Sequence, residues 1–152
     1  MKVLFATDGG KQCEAAIGTV QCLALKEGDE IKIISVVDMA VPLAIDIYGG
    51  YLPDTSELEK TARENAAKIL AETVEKLKPY SDAGKIDVSS EVLFGSPDSR
   101  IVETAEEWLA DLIVVGSHGY SRWERLLLGS VSDSVVHHAP CSVLVVRTAK
   151  DT

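Results

Sequence analysis

Three glycines and the polar residues around them carry the clearest chemical signal in this chain. Gly116, Gly119 and Gly129 stand in a G-x2-G-x9-G spacing, within Val115-Gly116-Ser117-His118-Gly119 and Leu128-Gly129-Ser130-Val131-Ser132. Glycine lets backbone N–H groups come close to a ligand, and a helix opening at Ser130 would add unpaired donors and the positive end of its dipole. Together these features suit a phosphate. Taken singly, each glycine is more often a turn residue and Ser130 an ordinary N-cap, so the weight lies in the combination. Two titratable residues, Asp8 and His118, follow apolar runs and could act at such a site. His118 could polarise a terminal phosphate, although hydrogen-bond donation is its simpler role.

Other chemistries are less well served. Gly10-Lys11 is followed by Gln12, with no glycine five residues before Gly10, so the P-loop pattern is absent, and no GxGxxG follows the first apolar run. Cys13, Cys22 and Cys141 are odd in number and form no CxxC pair, which points to inert buried or half-buried thiols in a reducing compartment. His137-His138 sits where a helix should end, and a cation there favours the dipole, so its role reads as structural. Arg122, Trp123 and Arg125 could form a solvated loop or reach a terminal phosphate, with Glu124 offsetting one charge.

The formal net charge of −9 argues against a surface that grips nucleic acid or anionic membrane through electrostatics alone. With 46% hydrophobic residues, the chain can bury roughly 68–70% of its unfolded surface as one domain. No apolar run resembles a signal-peptide core or a membrane span, and a cytoplasmic location is expected.

Something must position these residues. Val3 to Ala6, Ile31 to Val37, Leu112 to Val115 and Val143 to Val146 read as strands buried on both faces, and the polar-interrupted run from Ile86 to Phe94 as an edge strand. Between them, Glu14 to Leu25 is patterned as a helix. Ser56 opens a second with a capping box and a stripe that ends before Pro79. Ser96-Pro97 starts a third, with Ile101, Val102, Ala105, Trp108 and Leu109 as its buried face, and a short helix runs from Ser130 to before Pro140.

Strict β-α alternation predicts right-handed crossovers and a doubly wound, Rossmann-like α/β domain with five parallel strands and four helices. In such sheets ligands bind beyond the carboxyl ends of the strands at the switch point. That rule selects Ala6-Thr7-Asp8, Val36-Val37-Asp38 and the residues from Gly116 onward. The connection from Met39 to Thr55, with Tyr48 and Tyr51 among its apolar members, reads as a mobile link or lid.

The glycine spacing resembles the nucleotide-binding signature of the universal stress protein family, ATP-binding branch. Val3-Leu4-Phe5-Ala6-Thr7-Asp8 resembles that family's opening strand, Asp111 to Gly119 its fourth strand and loop, and Gly129 to Ser132 with Ala139 to Val146 its closing helix and strand. The likeness covers essentially residues 1–152. It implies an adenine-nucleotide alpha hydrolase-like fold, although the Ser-Gly-Gly loop and paired histidine motif of the related ATP-pyrophosphatases and nucleotidyltransferases are absent.

The resemblance further implies that ATP, ADP or AMP lies against Ala6, Thr7 and Asp8, with the backbone of Val36 and Val115 meeting the adenine and Asp8 near the ribose. Gly116, His118 and Gly119 would contact ribose and phosphates. Gly129, Ser130, Val131 and Ser132 would wrap the phosphates, the hydroxyls helping to hold phosphate or a Mg²⁺ or Mn²⁺ ion. Gly9-Gly10-Lys11 departs from the family, which usually has a bulkier residue and a serine there, and is expected to loosen the aspartate loop. A homodimer pairing Ser142 to Arg147 edge to edge is also implied.

Three function classes follow: an ATP-binding stress-response sensor or adaptor with slow or no hydrolysis, a low-turnover ATPase or nucleotide-transferring enzyme using Asp8, His118 and a metal, and a nucleotide-free interaction protein. The intact Gly116 to Ser130 pattern disfavours the last.

Overall fold

Residues that alternate between two apolar faces must be covered on both, and the first strand shows how this is done. In the computed structural model, which describes residues 1–10, 12–38, 56–117 and 128–148, Val3, Leu4 and Phe5 have no exposed surface at all. Val3 and Phe5 pack with Ile31 and Ile33 under Ile17, Val20, Leu70 and Leu77. Leu4 and Ala6 turn the other way, onto Ile34 and Ile113 under Ile101, Ala105 and Val135. Burying each large aliphatic or aromatic side chain contributes about 1.5–3 kcal/mol, so two such layers supply most of the driving force for the fold.

The elements are β1 (Lys2–Ala6), α1 (Gln12–Gln21), β2 (Glu30–Val37), α2 (Ser56–Gly84), β3 (Asp87–Phe94), α3 (Pro97–Trp108), β4 (Leu112–Gly116), α4 (Ser130–His138) and β5 (Ser142–Val146). All neighbouring strands are parallel, in the order β3-β2-β1-β4-β5. Helices α1 and α2 cover one face, and α3 and α4 the other. The expected doubly wound sheet is therefore present, with β3 at one edge. There Asp87, Ser89, Ser90 and Glu91 are exposed, which explains their polarity. The opposite edge is β5, where Val143, Leu144 and Val145 stay half-buried.

Three local expectations need correction. Helix α1 stops at Gln21 rather than Leu25, because the Cys22 N–H is shared between Gly18 O at 3.2 Å and Thr19 O at 3.1 Å and the Leu23 N–H then bonds three residues back, to Val20 O at 3.0 Å. This tighter turn ends the α-helical ladder and lets Leu23 and Leu25 fold onto the α1/α2 core. Helix α2 continues through Pro79 to Gly84. Proline removes one donor, the partner of the Glu75 carbonyl, but Pro79 and Glu75 are both exposed, so water can satisfy it. On the inner side buried Leu77 and Ser81 hold the helix, and the Tyr80 hydroxyl donates to the Leu23 carbonyl at 2.6 Å. Packing outweighs the local penalty. Finally, Leu109 is 76% exposed. It adopts φ 56° just past α3, where Ala110 N–H closes the helix onto Ala105 O at 2.9 Å and swings Leu109 away from the buried face.

Across the second face, Asp98 ties α3 to α4. One of its carboxylate oxygens accepts the Ser96 hydroxyl at 2.5 Å and the other the Ser134 hydroxyl at 2.7 Å. These bonds, Ser96 first, hold the Asp98 carboxyl below its ordinary pKa of 3.8. A lowered carboxylate pKa stabilises the fold above the unfolded value, and that contribution is lost as pH falls through the folded value. Asp98→Asn is predicted to lower stability at pH 7 by about 1 kcal/mol and to weaken its decline in acid, as checked by urea midpoints measured from neutral pH to below pH 3.8.

Candidate functional site

The chain leaves β1 toward β2 and reaches β4 on β1's other side, so the connections diverge between the carboxyl ends of β1 and β4. A crevice at that switch point follows from topology. Ala6, Val36 and Val115 all pack into the layer facing α3 and α4. Phe5 is registered with Val114 and Ala6 with Ile34, which places the three apolar residues along the top of neighbouring strands.

Beyond Ala6 the backbone is pinned rather than loose. Thr7 N–H donates to Ile34 O at 3.0 Å. The Thr7 hydroxyl accepts Gly9 N–H at 3.1 Å, and Asp8 Oδ1 accepts Gly10 N–H at 2.8 Å. These two side-chain turns hold exposed Asp8 in place. Gly9 has φ +73°, and a Cβ there would lie 2.7 Å from Ile69 Cγ1 on α2. At Gly10 a Cβ would meet Asp8 Oδ1 at 2.9 Å. Gly9 and Gly10 take part in a hydrogen-bonded turn, and Gly9 lies in the left-handed region that disfavours a side chain.

The other wall is organised by Ser117, which is 1% exposed. Its N–H donates to Val146 O at 2.8 Å, and its carbonyl accepts Gly129 N–H at 2.7 Å. The Ser132 hydroxyl donates to Ser117 O and Gly129 O, both at 3.0 Å. Ser132, 3% exposed, thus spends its one proton closing the neck between β4 and α4, while Ser130 is exposed and Val131 half-buried. Gly129 caps α4 with φ −62° and ψ 155°, and no described side chain hydrogen-bonds to the cap. The first intrahelical bond is Asp133 N–H to Gly129 O at 2.9 Å. The N–H groups of Ser130, Val131 and Ser132 precede it, which makes this end a source of oriented donors.

The structure therefore brings Ala6, Thr7, Asp8, Val36, Val115, Gly116, Gly129, Ser130, Val131 and Ser132 to one end of the sheet. His118, Gly119, Arg122, Trp123, Arg125 and the connection 39–55 lie outside the described residues. Two residues that sequence reasoning did not single out matter most for the geometry. Ser117 has a readable signal, a small polar residue directly after a buried strand. Gln12, whose Nε2 donates to Ser117 Oγ at 3.1 Å, has none.

Elsewhere the polar groups are structural. His137 and His138 direct Nδ1 at the carbonyls four residues back, Asp133 and Ser134, both at 2.8 Å, and so fold onto their own helix. Cys13 and Cys141 are half-buried, whereas Cys22 is exposed, because α1 ends one residue before it. Burial, reinforced by Asp111, pushes the Cys141 thiol up, away from the reactive thiolate.

The fold and the crevice define a class: a parallel α/β domain whose polar loops gather at one switch point. The chain belongs to the universal stress protein family, which it matches over residues 1–147. A Staphylococcus aureus (strain USA300) protein named as a universal stress protein is 35% identical over 147 residues, spanning 96% of this chain and 83% of the relative. Among solved structures, the chain is similar to UspA from Lactobacillus plantarum, with a TM-score of 0.77 and 23% identity over 97% of both chains. It is likewise similar to a universal stress protein in complex with cAMP, with a TM-score of 0.66 and 26% identity over 98% of both.

Ser132→Ala leaves two inward-facing carbonyls without their hydroxyl donor. It is predicted to lower stability by about 1–2 kcal/mol, whereas Ser130→Ala, at an exposed position, should stay within about 0.5 kcal/mol of wild type in the same chemical denaturation.

Proposed function

We propose that this chain is an ATP-binding universal stress protein that acts as a sensor or adaptor in the stress response, with slow or no hydrolysis. The observation that carries the reading is the start of α4, where the N–H groups of Ser130, Val131 and Ser132 precede the first intrahelical bond and no described side chain caps them. An anion held there needs no basic surface, which reconciles a phosphorylated ligand with a net charge of −9. The cAMP complex of a neighbour 26% identical supports an adenine nucleotide in this family, and ATP, ADP and AMP are the candidates for this chain. In this reading the adenine meets the backbone at Val36 and Val115, and Ala6, Thr7 and Asp8 lie along base and ribose. Gly116, His118 and Gly119 contact ribose and phosphates, and Gly129 to Ser132 surround the phosphates.

Among the described residues no group of three or more His, Cys, Asp or Glu side chains could hold a metal ion. A Mg²⁺ or Mn²⁺ ion would come with the phosphates, and the exposed Ser130 hydroxyl is one protein oxygen that could meet it. The assembly in this reading is a homodimer through β5 and Arg147, because the half-buried Val143, Leu144 and Val145 lie on an open sheet edge.

Calorimetry with ATP and Mg²⁺ tests the binding. Wild type should show saturable binding with Kd below about 1 mM, and Gly129→Val should lose at least about tenfold in affinity, or about 1.4 kcal/mol, while keeping the wild-type fold by circular dichroism. Absence of binding by wild type, or full binding by Gly129→Val, would refute the site. In a phosphate-release assay wild type and His118→Ala should give equal, near-background rates. Sedimentation should find a dimer at micromolar concentration, and a monomer would contradict the β5 interface.

A further inference from the structure

The two walls of the crevice come from distant parts of the chain, and among the described residues a side-chain hydrogen bond joins them. Gln12 opens α1 directly after the Thr7–Gly10 turn, and its Nε2 donates to Ser117 Oγ at 3.1 Å across 105 residues of sequence. Ser117 is the residue on which the other wall converges. Its backbone is bonded to Val146 and Gly129, and its carbonyl also receives the Ser132 hydroxyl. Gln12 is half-buried although it begins a helix. An acidic side chain would suit the dipole better at that position, so the neutral amide is unexplained by helix stability alone. Its reach to a hydroxyl that is 1% exposed explains it.

We propose that Gln12 is a positioning residue that, through Ser117, sets the start of α4 against the Asp8 turn and holds the two walls as one unit before any ligand arrives. A crevice fixed in advance spends less binding energy on ordering itself. The consequence for ligand affinity rests on the nucleotide reading above, while the mechanical coupling does not.

The test uses the full chain as wild type, Gln12→Met, Ser117→Ala and the double variant. Met keeps the length and apolar stem of Gln12 and removes only the amide. Without nucleotide, hydrogen exchange at the Gly129 amide should quicken roughly three- to tenfold in Gln12→Met, while the amides of Leu4 and Ile113 in the core keep their wild-type rates. The double variant should exchange at Gly129 no faster than Ser117→Ala, because both substitutions break the same link. Unchanged exchange at Gly129 in Gln12→Met overturns the proposal, as does a double variant whose effects simply add.

With ligand, Gln12→Met should weaken ATP roughly three- to tenfold and weaken adenosine less, since the displaced start of α4, Gly129 to Ser132, is the part assigned to phosphate alone. Equal losses for ATP and adenosine would overturn the positioning role. If wild type binds neither ligand but Gly129 exchange quickens as stated, the nucleotide reading fails and the coupling stands.

Discussion

A parallel strand covered on both faces has no place along its length for polar chemistry. Val3, Leu4 and Phe5 are wholly buried, and so are Ile31, Ile33, Ile113 and Val114 in the strands beside them. A charged or phosphate-binding group inserted there would lose its hydration without compensation. Polar residues are therefore displaced to the strand ends, where the chain must turn. At the carboxyl ends of β1 and β4 the two turns diverge, and the diverging turns leave a gap. The location of the candidate site is a consequence of how the core is built.

That gap is lined by groups already committed to one another. Asp8 holds its own turn through Gly10, and Ser117, Gly129 and Ser132 close the base of the opposite wall. At the start of α4, no described side chain hydrogen-bonds to the cap, and the first N–H groups precede the first intrahelical bond. Backbone donors fixed by a buried network attract an anion locally without making the protein basic overall. The excess of acidic residues then still discourages extended polyanions, which need many phosphate contacts at once.

Most of the architecture was legible because it depends on short-range patterns. β-Branched runs marked the buried strands, serine and proline marked the helix starts, and the interrupted run before Phe94 marked an edge. The misread positions are those where a distant contact decides. Pro79 should end α2, but buried Leu77 and Ser81 carry the helix past it. Leu109 fits the apolar stripe of α3, yet the closing turn at Ala110 leaves it in solvent. Of the spaced glycines, Gly116 and Gly129 lie at the carboxyl end of β4 and at the start of α4. Gly9 and Gly10 looked permissive in sequence, and the left-handed φ of +73° at Gly9 is visible only in the fold. The Gln12 to Ser117 link joins residues 105 apart and could not be read from local pattern at all.

An adenine nucleotide is proposed to be received by backbone donors at the switch point. The direct measurement is a residue-resolved amide NMR titration with ATP and Mg²⁺. The predicted result is that shifts concentrate at Thr7 to Gly10, Gly116 and Gly129 to Ser132, while amides at the opposite end of the sheet, such as Asp29 and Asp111, stay in place. Shifts confined to any other surface, or none at saturating ATP, would contradict it.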